Sequence, residues 1–193
     1  MTVRIFKPEV NIRSKLTELD FDRVPYQKMP VGSVIQTVIQ YQRASGTSNE
    51  NETSSNTYQA TTFMVDITPK FPNSIMKITA AVNHKSSYNG YYHTIAVFKR
   101  VVGEPGGLNL DWGYRNLHDQ GDASGYVQYG QGTIGWGAGQ PYYGIVPIEQ
   151  YDKPNTTSPM TYRLYHRSVN ANGTVRTGEN GAEEFMAVQE IRQ

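Results

Sequence analysis

The sequence predicts an all-β protein, an antiparallel, jelly-roll-like β-sandwich preceded by an N-terminal extended arm and a short helix. Its 193 residues include 18 glycines, 10 prolines and 14 tyrosines. Aromatic and β-branched side chains favour strands, whereas glycine, proline and asparagine favour the turns between them. After residue 30, most segments also alternate polar and apolar side chains, which is the period of a strand. We therefore expect an arm at residues 1–30 and one sandwich domain at residues 31–193.

Composition and charge exclude several classes of function. The formal net charge is +1, so the overall field of the protein indicates neither a nucleic-acid partner nor an anionic membrane. The chain has no cysteine, which excludes disulfides, thiolate nucleophiles and zinc sites with sulfur ligands. Its apolar runs are short, and its first residues lack the pattern of a signal peptide. We expect synthesis in a cytoplasm and no membrane insertion.

The arm has the pattern of a segment that needs a partner. Residues 1–6 form a short extended segment, and Asn11 is a suitable N-cap for a helix of about three turns. Such a helix is marginal in water by itself, so its apolar stripe has to pack against another surface. Pro25 and Pro30 then predict a stiff, extended connection to the domain. The residues that we predict to dock on a partner are Ile5, Phe6, Ile12, Leu16 and Leu19.

A change to period two from residue 31 onward, over residues 31–43, predicts the first strand. Its two faces differ, and we expect the apolar face to be buried. That face carries Ile35, Thr37, Ile39 and Tyr41, whereas the other carries Gln36, Gln40 and Gln42. Residues 44–57 are polar throughout and predict a long exposed connection.

Two further strands, at residues 61–67 and 74–82, flank a turn marked by two prolines. Asn89 and Gly90 are the favoured pair for a tight hairpin, which we expect to join the second of these strands to the next one. His84 and His93 flank that hairpin and would pair across it. The simpler interpretation is a satisfied cross-strand pair, and the alternative is a pH-sensitive or metal-binding couple.

Residues 103–144 are rich in glycine and aromatic residues and predict short strands between wide loops. Residues 130–135 match the dinucleotide pattern G-x-G-x-x-G, but this motif binds phosphate only where a helix begins within it. The glycines and the proline that follow exclude that helix, so we expect a glycine-rich β loop.

The alternation resumes at residue 144, and after it we expect strands at residues 160–167 and, as the last strand, at residues 185–191. In the first of these segments, one face is expected to lie on the core and the other to face water or a partner. The core face carries Met160, Tyr162, Leu164 and His166, and the other face carries Thr161, Arg163, Tyr165 and Arg167. Seven to nine strands in all fit a two-layer sandwich.

No catalytic site is indicated by the sequence. Nucleophilic catalysis needs a hydroxyl, a histidine and a carboxylate brought together, and no segment resembles a nucleophile elbow. His118, Asp119 and Asp122 are close enough in sequence to offer nitrogen and oxygen ligands to a cation. In a turn, however, such residues more often bond with the backbone. We therefore expect no enzymatic activity, no cofactor and no metal.

Aromatic residues on or beside predicted turns are the better candidates for binding. Rings with polar tips stack on sugars or anchor protein interfaces. We expect this set to contact either a neighbouring subunit or a host surface glycan. It comprises Tyr88, Tyr91, Tyr92, Tyr126, Tyr129, Trp136, Tyr142 and Tyr143.

Four segments carry a family resemblance. They are "GSVIQTV" at 32–38, "TTFMVDITPKFPNSIMKITAAV" at 61–82, "PNTTSPMTYRLYHRS" at 154–168 and "FMAVQEI" at 185–191. In these segments the chain resembles a family of bacteriophage virion proteins, common among marine and cyanobacterial phages, that serve as tail-fibre or head-appendage modules. The glycine-rich and tyrosine-rich middle departs from the family pattern.

The resemblance implies a non-enzymatic β-sandwich module, usually trimeric, mounted on a virion by its N-terminal segment and released by lysis of the host. A tail fibre or receptor-binding appendage is the leading interpretation. The alternatives are a capsid decoration, cement or neck protein, and a soluble carbohydrate-binding module. The partners implied are other virion proteins, further copies of the chain in a homotrimer, and a host surface glycan.

Overall fold

The computed structural model describes residues 25–43, 51–86, 93–102, 115–116, 132–134, 142–168, 173–178 and 183–193. Within these ranges the chain forms a 3-10 turn, Tyr26–Lys28, followed by eleven strands. The strands are β1 (Val34–Arg43), β2 (Asn51–Thr53), β3 (Gln59–Ile67), β4 (Ile75–Ser86), β5 (His93–Val101), β6 (Arg115–Asn116), β7 (Gly132–Ile134), β8 (Tyr142–Asp152), β9 (Met160–Ser168), β10 (Val175–Thr177) and β11 (Glu183–Ile191).

The strands form two antiparallel sheets. In the first sheet, β8 pairs with one side of β4, while β11 and β10 pair with the other side along residues 75–81 and 84–86. β1 and β2 complete this sheet beside β11 and β10. In the second sheet the order is β3, β9, β5, and both β6 and β7 pair with β5. The eleven described strands therefore fill eight positions, four in each sheet, because β1 and β2, β11 and β10, and β6 and β7 each share a position.

The long strands alternate between the two sheets along the chain. β1, β4, β8 and β11 belong to the first sheet, and β3, β5 and β9 belong to the second. Alternation of this kind within two four-strand sheets is the jelly-roll arrangement. The predicted fold class, an all-β antiparallel sandwich, is confirmed.

The predicted hairpin at Asn89 and Gly90 is wrong. β4 lies in the first sheet and β5 in the second, so the chain passes from one sheet to the other between them. His84 in β4 and His93 in β5 each lie opposite strands of their own sheet. The predicted histidine couple across a hairpin is therefore wrong as well. An Asn-Gly pair favours a bend, but a bend does not decide which sheet receives the next strand.

Alternate residues of both sheets fill the space between them. The burial pattern of β3 alternates strictly from Thr61 to Ile67, and the predicted core face of β9 is buried along its whole length. Each large side chain buried in this way contributes roughly 1.5 to 3 kcal/mol before the entropy cost of ordering it. The core includes Phe63, Val65, Ile67, Met76, Ile78, Val82, Ile95, Val97, Val146, Ile148, Met160, Tyr162, Leu164, Met186 and Val188.

The second face of β9 is more buried than predicted. Tyr165 and Arg167 were expected to face water or a partner, but their exposed fractions are 1% and 8%. The Tyr165 ring lies 4.3 Å from the ring of Phe98, and the Arg167 guanidinium lies 4.8 Å over the ring of Tyr58. An alternating pattern identifies two faces, but a second aromatic cluster can cover the outer one.

The faces of β1 are reversed relative to the prediction. Ile39 and Tyr41 are exposed at 46% and 73%, whereas Gln36 and Gln40 turn toward the second sheet and bond to β3 and its following turn. The prediction assumed that the apolar face is buried. Glutamine amides can instead occupy an inner position where they satisfy backbone groups.

Part of the predicted exposed connection is a strand. Asn51–Thr53 forms β2, which pairs with β10, and the side chain of Thr53 is buried. The Asn51 carboxamide oxygen accepts a hydrogen bond from the backbone N–H of Thr62 at 2.9 Å. A polar segment can therefore join a sheet when its side chains bond to a neighbouring strand.

Candidate functional surfaces

Residues 25–33 join the body at one end of the sandwich. The backbone N–H of Gly32 donates to the carbonyl oxygen of Arg192 at 2.8 Å, and the N–H of Arg192 donates to the carbonyl oxygen of Ser33 at 2.9 Å. The Arg192 guanidinium also donates to the carbonyl oxygen of Met29. Gly32 has a φ of 88°, a left-handed conformation that glycine adopts without strain. The segment that leads in from the arm is thus attached to the end of the last strand.

An aromatic contact adds to this attachment. The rings of Tyr26 and Phe71 meet edge to face at 5.4 Å, and the Arg192 guanidinium lies 5.3 Å over the Phe71 ring. The backbone N–H of Lys28 donates to the carbonyl oxygen of Pro25 at 2.7 Å. The connection predicted to be extended therefore contains a tight turn. Proline did not exclude it, because a φ of −52°, as at Pro25, is compatible with a turn as well as with an extended chain.

Most of the predicted site residues lie outside the described residues. This holds for all five predicted docking residues, Ile5, Phe6, Ile12, Leu16 and Leu19, and for Tyr88, Tyr91, Tyr92, Tyr126, Tyr129 and Trp136. Tyr142 and Tyr143 begin β8, opposite Ser86 and Lys85. The docking and aromatic roles stay predictions.

Most of these aromatic residues, all except Tyr126 and Tyr129, are flanked by strand ends that lie at the end of the sandwich opposite to residues 25–33. Tyr126 and Tyr129 fall between Asn116 and Gly132, which pair with β5 along the edge of the second sheet. β4 ends at Ser86, opposite Tyr142, the first residue of β8. β5 begins at His93, opposite Ile134, the last residue of β7. The start of β4, by contrast, lies beside the end of β11 and the start of β1. At about 3.3 Å per residue, the length of β4 separates the two ends by roughly 40 Å.

β6 and β7 share one position beside β5. β6 pairs with Phe98 and Lys99, and β7 pairs with residues 93–95. β6 ends at Asn116 and β7 begins at Gly132, and the residues between them lie outside the described ranges. Residues 132–134 of the G-x-G-x-x-G motif thus form a strand, in agreement with the β interpretation and not with a phosphate-binding helix.

Side-chain amides close the seam between β1 and β3. Gln40 Oε1 accepts a hydrogen bond from the backbone N–H of Met64 at 3.0 Å. Gln36 Nε2 donates to the carbonyl oxygen of Thr68 at 2.7 Å. β3 is an edge strand of the second sheet, and unpaired edge groups are a template for unwanted strand addition. These amides satisfy part of that edge from the neighbouring sheet.

A buried carboxylate continues the seam at the end where residues 25–33 attach. Glu190 has an exposed fraction of 0%. Its Oε1 accepts hydrogen bonds from the backbone N–H groups of Lys70 and Phe71 at 2.8 and 3.0 Å and from Ser74 Oγ at 2.7 Å. Its Oε2 accepts one from Gln36 Nε2 at 2.7 Å. One side chain of β11 therefore fixes the turn between β3 and β4.

A second polar group connects the sheets through β8. Lys99 Nζ lies 2.8 and 3.0 Å from the two carboxylate oxygens of Asp152, and the Tyr162 hydroxyl donates to Asp152 Oδ2 at 2.9 Å. Burial, with Asp152 as neighbour, raises the pKa of Tyr162 far above its ordinary value. The hydroxyl therefore stays protonated and acts as a hydrogen-bond donor.

Three further buried groups titrate in a way that couples folding to pH. Burial lowers the pKa of His84 and of His166 to about 4 each. Burial raises the pKa of Glu184 to about 7, against the effect of hydrogen bonds from the backbone N–H groups of Asn83 and Gly178. The histidines therefore favour the folded state at higher pH, and Glu184 favours it at lower pH.

The described residues contain no group of three or more histidine, aspartate or glutamate side chains that could hold a metal ion. The predicted candidates His118, Asp119 and Asp122 lie outside these residues. In the part of the chain that the structure describes, no helix has the length and apolar character needed to cross a bilayer.

The sequence interpretation missed two features of the surface and the seam. The outer face of the first sheet carries exposed apolar residues, among them Tyr41 and Ile145. The inner face of β1 carries the amide seam. The regular spacing of glutamines along β1 was the available signal, because a polar residue repeated on one face of a strand needs a set of partners if that face is covered.

No protein-family model matches the sequence, and no curated protein matches it. Among solved structures, the chain is similar to a protein chain in the structure of the Gx strain of infectious bursal disease virus. The two chains have 12% identity and a TM-score of 0.36, over 82% of this chain and 37% of that one. It is also similar to a mutant VP2 protein of the same virus in T=1 particles, with 11% identity and a TM-score of 0.38 over 82% and 37%. A third similar structure is the VP2 subviral particle of the same virus, with 12% identity and a TM-score of 0.34 over 83% of this chain and 38% of that one. Similarity this low does not bear on function, and the chain spans well under half the length of these proteins.

Proposed function

We propose that this chain is a non-enzymatic structural protein of a bacteriophage virion. Its N-terminal arm attaches it to another virion protein, and its sandwich is displayed as a tail fibre or receptor-binding appendage. The arrangement of features at the two ends of the sandwich is the observation that supports the proposal. Residues 25–33 are bound to one end of the body through Arg192. The strand ends that flank Tyr88, Tyr91, Tyr92, Trp136, Tyr142 and Tyr143 lie at the other end, roughly 40 Å away.

The sequence resemblance supports the same assignment. The four segments that resemble phage virion proteins provide β1, β3 with β4, β9 and β11, which are strands of both sheets. The resemblance therefore concerns the framework of the sandwich. β5 and β8 lie outside these four segments although they also supply core side chains. The glycine-rich and tyrosine-rich residues between them lack the resemblance as well, and a receptor contact there could vary without changing the core.

The arm supplies attachment through apolar burial. Ile5, Phe6, Ile12, Leu16 and Leu19 would pack on the neighbouring virion protein, and each fully buried side chain contributes roughly 1.5 to 3 kcal/mol before ordering costs. In a homotrimer three arms bind together, so the overall attachment is far stronger than that of one arm.

Deletion of residues 1–24 tests this attachment. Residues 25–33 are retained because they bond to the end of β11. We expect a folded body, with the circular dichroism of the full chain, that no longer copurifies with phage particles. A full-length variant with lysine at Val102, which is exposed on the body, serves as the matched control and should be incorporated normally. Incorporation of the deletion variant at the level of the full chain would overturn the proposal.

The receptor role is tested separately from attachment. Alanine at Tyr91, Tyr92 and Tyr129 should leave the chain in the particle and reduce adsorption to host cells. A capsid decoration, cement or neck protein would instead show no cell binding and a copy number that follows capsid or connector symmetry. A soluble carbohydrate-binding module would bind glycans without residues 1–24 and would be absent from particles.

A further inference from the structure

The outer face of the first sheet is unusually apolar for a surface. Tyr41, Phe185, Ala81 and Pro147 form one row across β1, β11, β4 and β8. Tyr41 and Phe185 are exposed at 73% and 37%, and their rings lie 6.4 Å apart. Single exposed apolar residues are common, but a contiguous apolar patch marks a contact surface.

The relief of this face is also distinctive. Exposed large side chains lie on both edge strands, with Ile39 at 46% on β1 and Ile145 at 65% on β8, and these edges form two apolar rims. Between the rims, β11 and β4 carry the small residues Ala187, Thr79 and Ala81. Phe185 projects from β11 beside Tyr41, so the apolar side chains extend inward from the β1 rim.

Two charged residues of this face, Lys77 and Glu149, compensate each other. Lys77 Nζ lies 3.0 Å from the carboxylate of Glu149, which also accepts a hydrogen bond from the Tyr151 hydroxyl at 2.8 Å. The Lys77 ammonium lies 5.7 Å over the Tyr151 ring. In a homotrimer each contact joins two different patches of neighbouring copies. The Lys77–Glu149 pair adds no net charge to the patch that it belongs to, so it does not repel a neighbouring copy.

The size of the face is in the range that an oligomer contact needs. Four strands about 4.8 Å apart and about nine residues long at 3.3 Å per residue cover on the order of 600 Å² in plan. A stable protein contact buries about 800 Å² of accessible surface on each partner, which exceeds plan area because side chains project. The apolar face is therefore large enough to form most of one contact.

We propose that the outer face of the first sheet, centred on Tyr41, Phe185 and Ile145, is the contact between copies of this chain. The inference rests on the proposed assembly of the protein into a homo-oligomer and names the surface that its copies share. A second copy is the occupant that a neutral apolar face of this area fits. Closed oligomers then bury it in every subunit.

Two substitutions on opposite rims test the contact. Tyr41→Lys and Ile145→Lys each place a charge at a side chain that is mostly exposed, at 73% and 65%, so neither should disturb folding. Val102→Lys is the matched control, since Val102 is an apolar residue exposed at 59% at the end of β5 in the other sheet. Thermal unfolding of each variant monitors the fold.

Sedimentation velocity of the full chain over a concentration series provides the measurement. We expect the wild type and Val102→Lys to associate alike, and each rim variant to associate about tenfold more weakly or worse, as for the loss of a central interface residue. A monomeric wild type would overturn the proposal, as would rim variants that associate like the control. Association lost on deleting residues 1–24 but unaffected at both rims would assign the contact to the arm and also overturn it.

The same variants separate this inference from the proposed function. If the wild type associates in solution but is absent from phage particles, the virion role is contradicted and the proposed contact between copies is not. Normal incorporation of rim variants that associate like the wild type would contradict the face and leave the virion role intact.

Discussion

Replacing Glu190 with alanine tests whether one buried carboxylate holds the turn between β3 and β4. The carboxylate accepts four hydrogen bonds within 3.0 Å, two from the backbone N–H groups of Lys70 and Phe71 and two from the side chains of Ser74 and Gln36. Alanine removes all four acceptor contacts at once. Glutamine keeps the shape of the side chain, but its amide nitrogen faces the Gln36 amide.

The expected cost follows from the groups left without an acceptor. A buried donor deprived of its partner costs about 1 to 3 kcal/mol. Lys70 is exposed and Phe71 partly so, which allows water to reach their backbone groups, so about 1 kcal/mol each is appropriate. With the fully buried Ser74 hydroxyl and the charge-assisted bond to Gln36, the total loss for Glu190→Ala is about 3 to 4 kcal/mol. Glu190→Gln should lose about half as much because one carbonyl oxygen remains.

Urea unfolding at constant protein concentration, followed by circular dichroism and linear extrapolation, measures these losses. Glu183→Ala is the control, because Glu183 lies on the same strand with an exposed side chain. The reasoning is refuted if Glu190→Ala and Glu183→Ala have the same free energy of unfolding, or if the glutamine variant is less stable than the alanine variant.

Three further predictions concern the other buried polar groups. The pKa values of His84 and His166 are about 4 in the folded state, against an ordinary value of 6.5. Stability is therefore lost as pH falls from 6.5 to 4, by about 3 kcal/mol for each histidine. In urea unfolding measured over this pH range, replacing either histidine with glutamine should reduce the loss of the free energy of unfolding at acid pH. The pKa of Glu184 is raised to about 7 from 4.5, so its contribution is lost as pH rises from 4.5 to 7, and Glu184→Gln should be more stable than the wild type at pH 8; a variant less stable there would contradict the assignment. Asp152→Asn should cost about 2 kcal/mol by leaving a partly buried lysine without its carboxylate, whereas Glu149→Gln on the exposed face of the same strand should have little effect in the same unfolding assay; equal losses would contradict the role given to the buried pair.

The sequence predicted those strands whose two faces differ strongly. For β3, β4 and β9, the predicted segments lie within a few residues of the observed bounds. Alternation is decisive there because a shift by one residue would expose the whole apolar face of the strand. The core face of β9 was identified correctly for the same reason, from Met160 to His166.

The errors arose where local preferences did not determine the partner. An Asn-Gly pair in sequence is compatible with a hairpin and with a crossing between sheets, and only the pairing of β4 and β5 distinguishes the two. The glutamines on β1 were assigned to solvent, since the sequence does not reveal that the backbone of β3 bonds to side chains from that side. Gln40 lies on the inner face, where it bonds to Met64, and Ile39 and Tyr41 lie on the exposed face.

The divided strand beside β5 gives this protein a place where its length can change independently of its interior. The hydrogen bonds of β6 and β7 anchor both flanks to β5, at Phe98 and Lys99 and at residues 93–95. Doubling the length of the chain between the flanks costs only about 0.6 kcal/mol in closure entropy. A longer or shorter connection between the two flanks would therefore leave the pairing of both sheets in place.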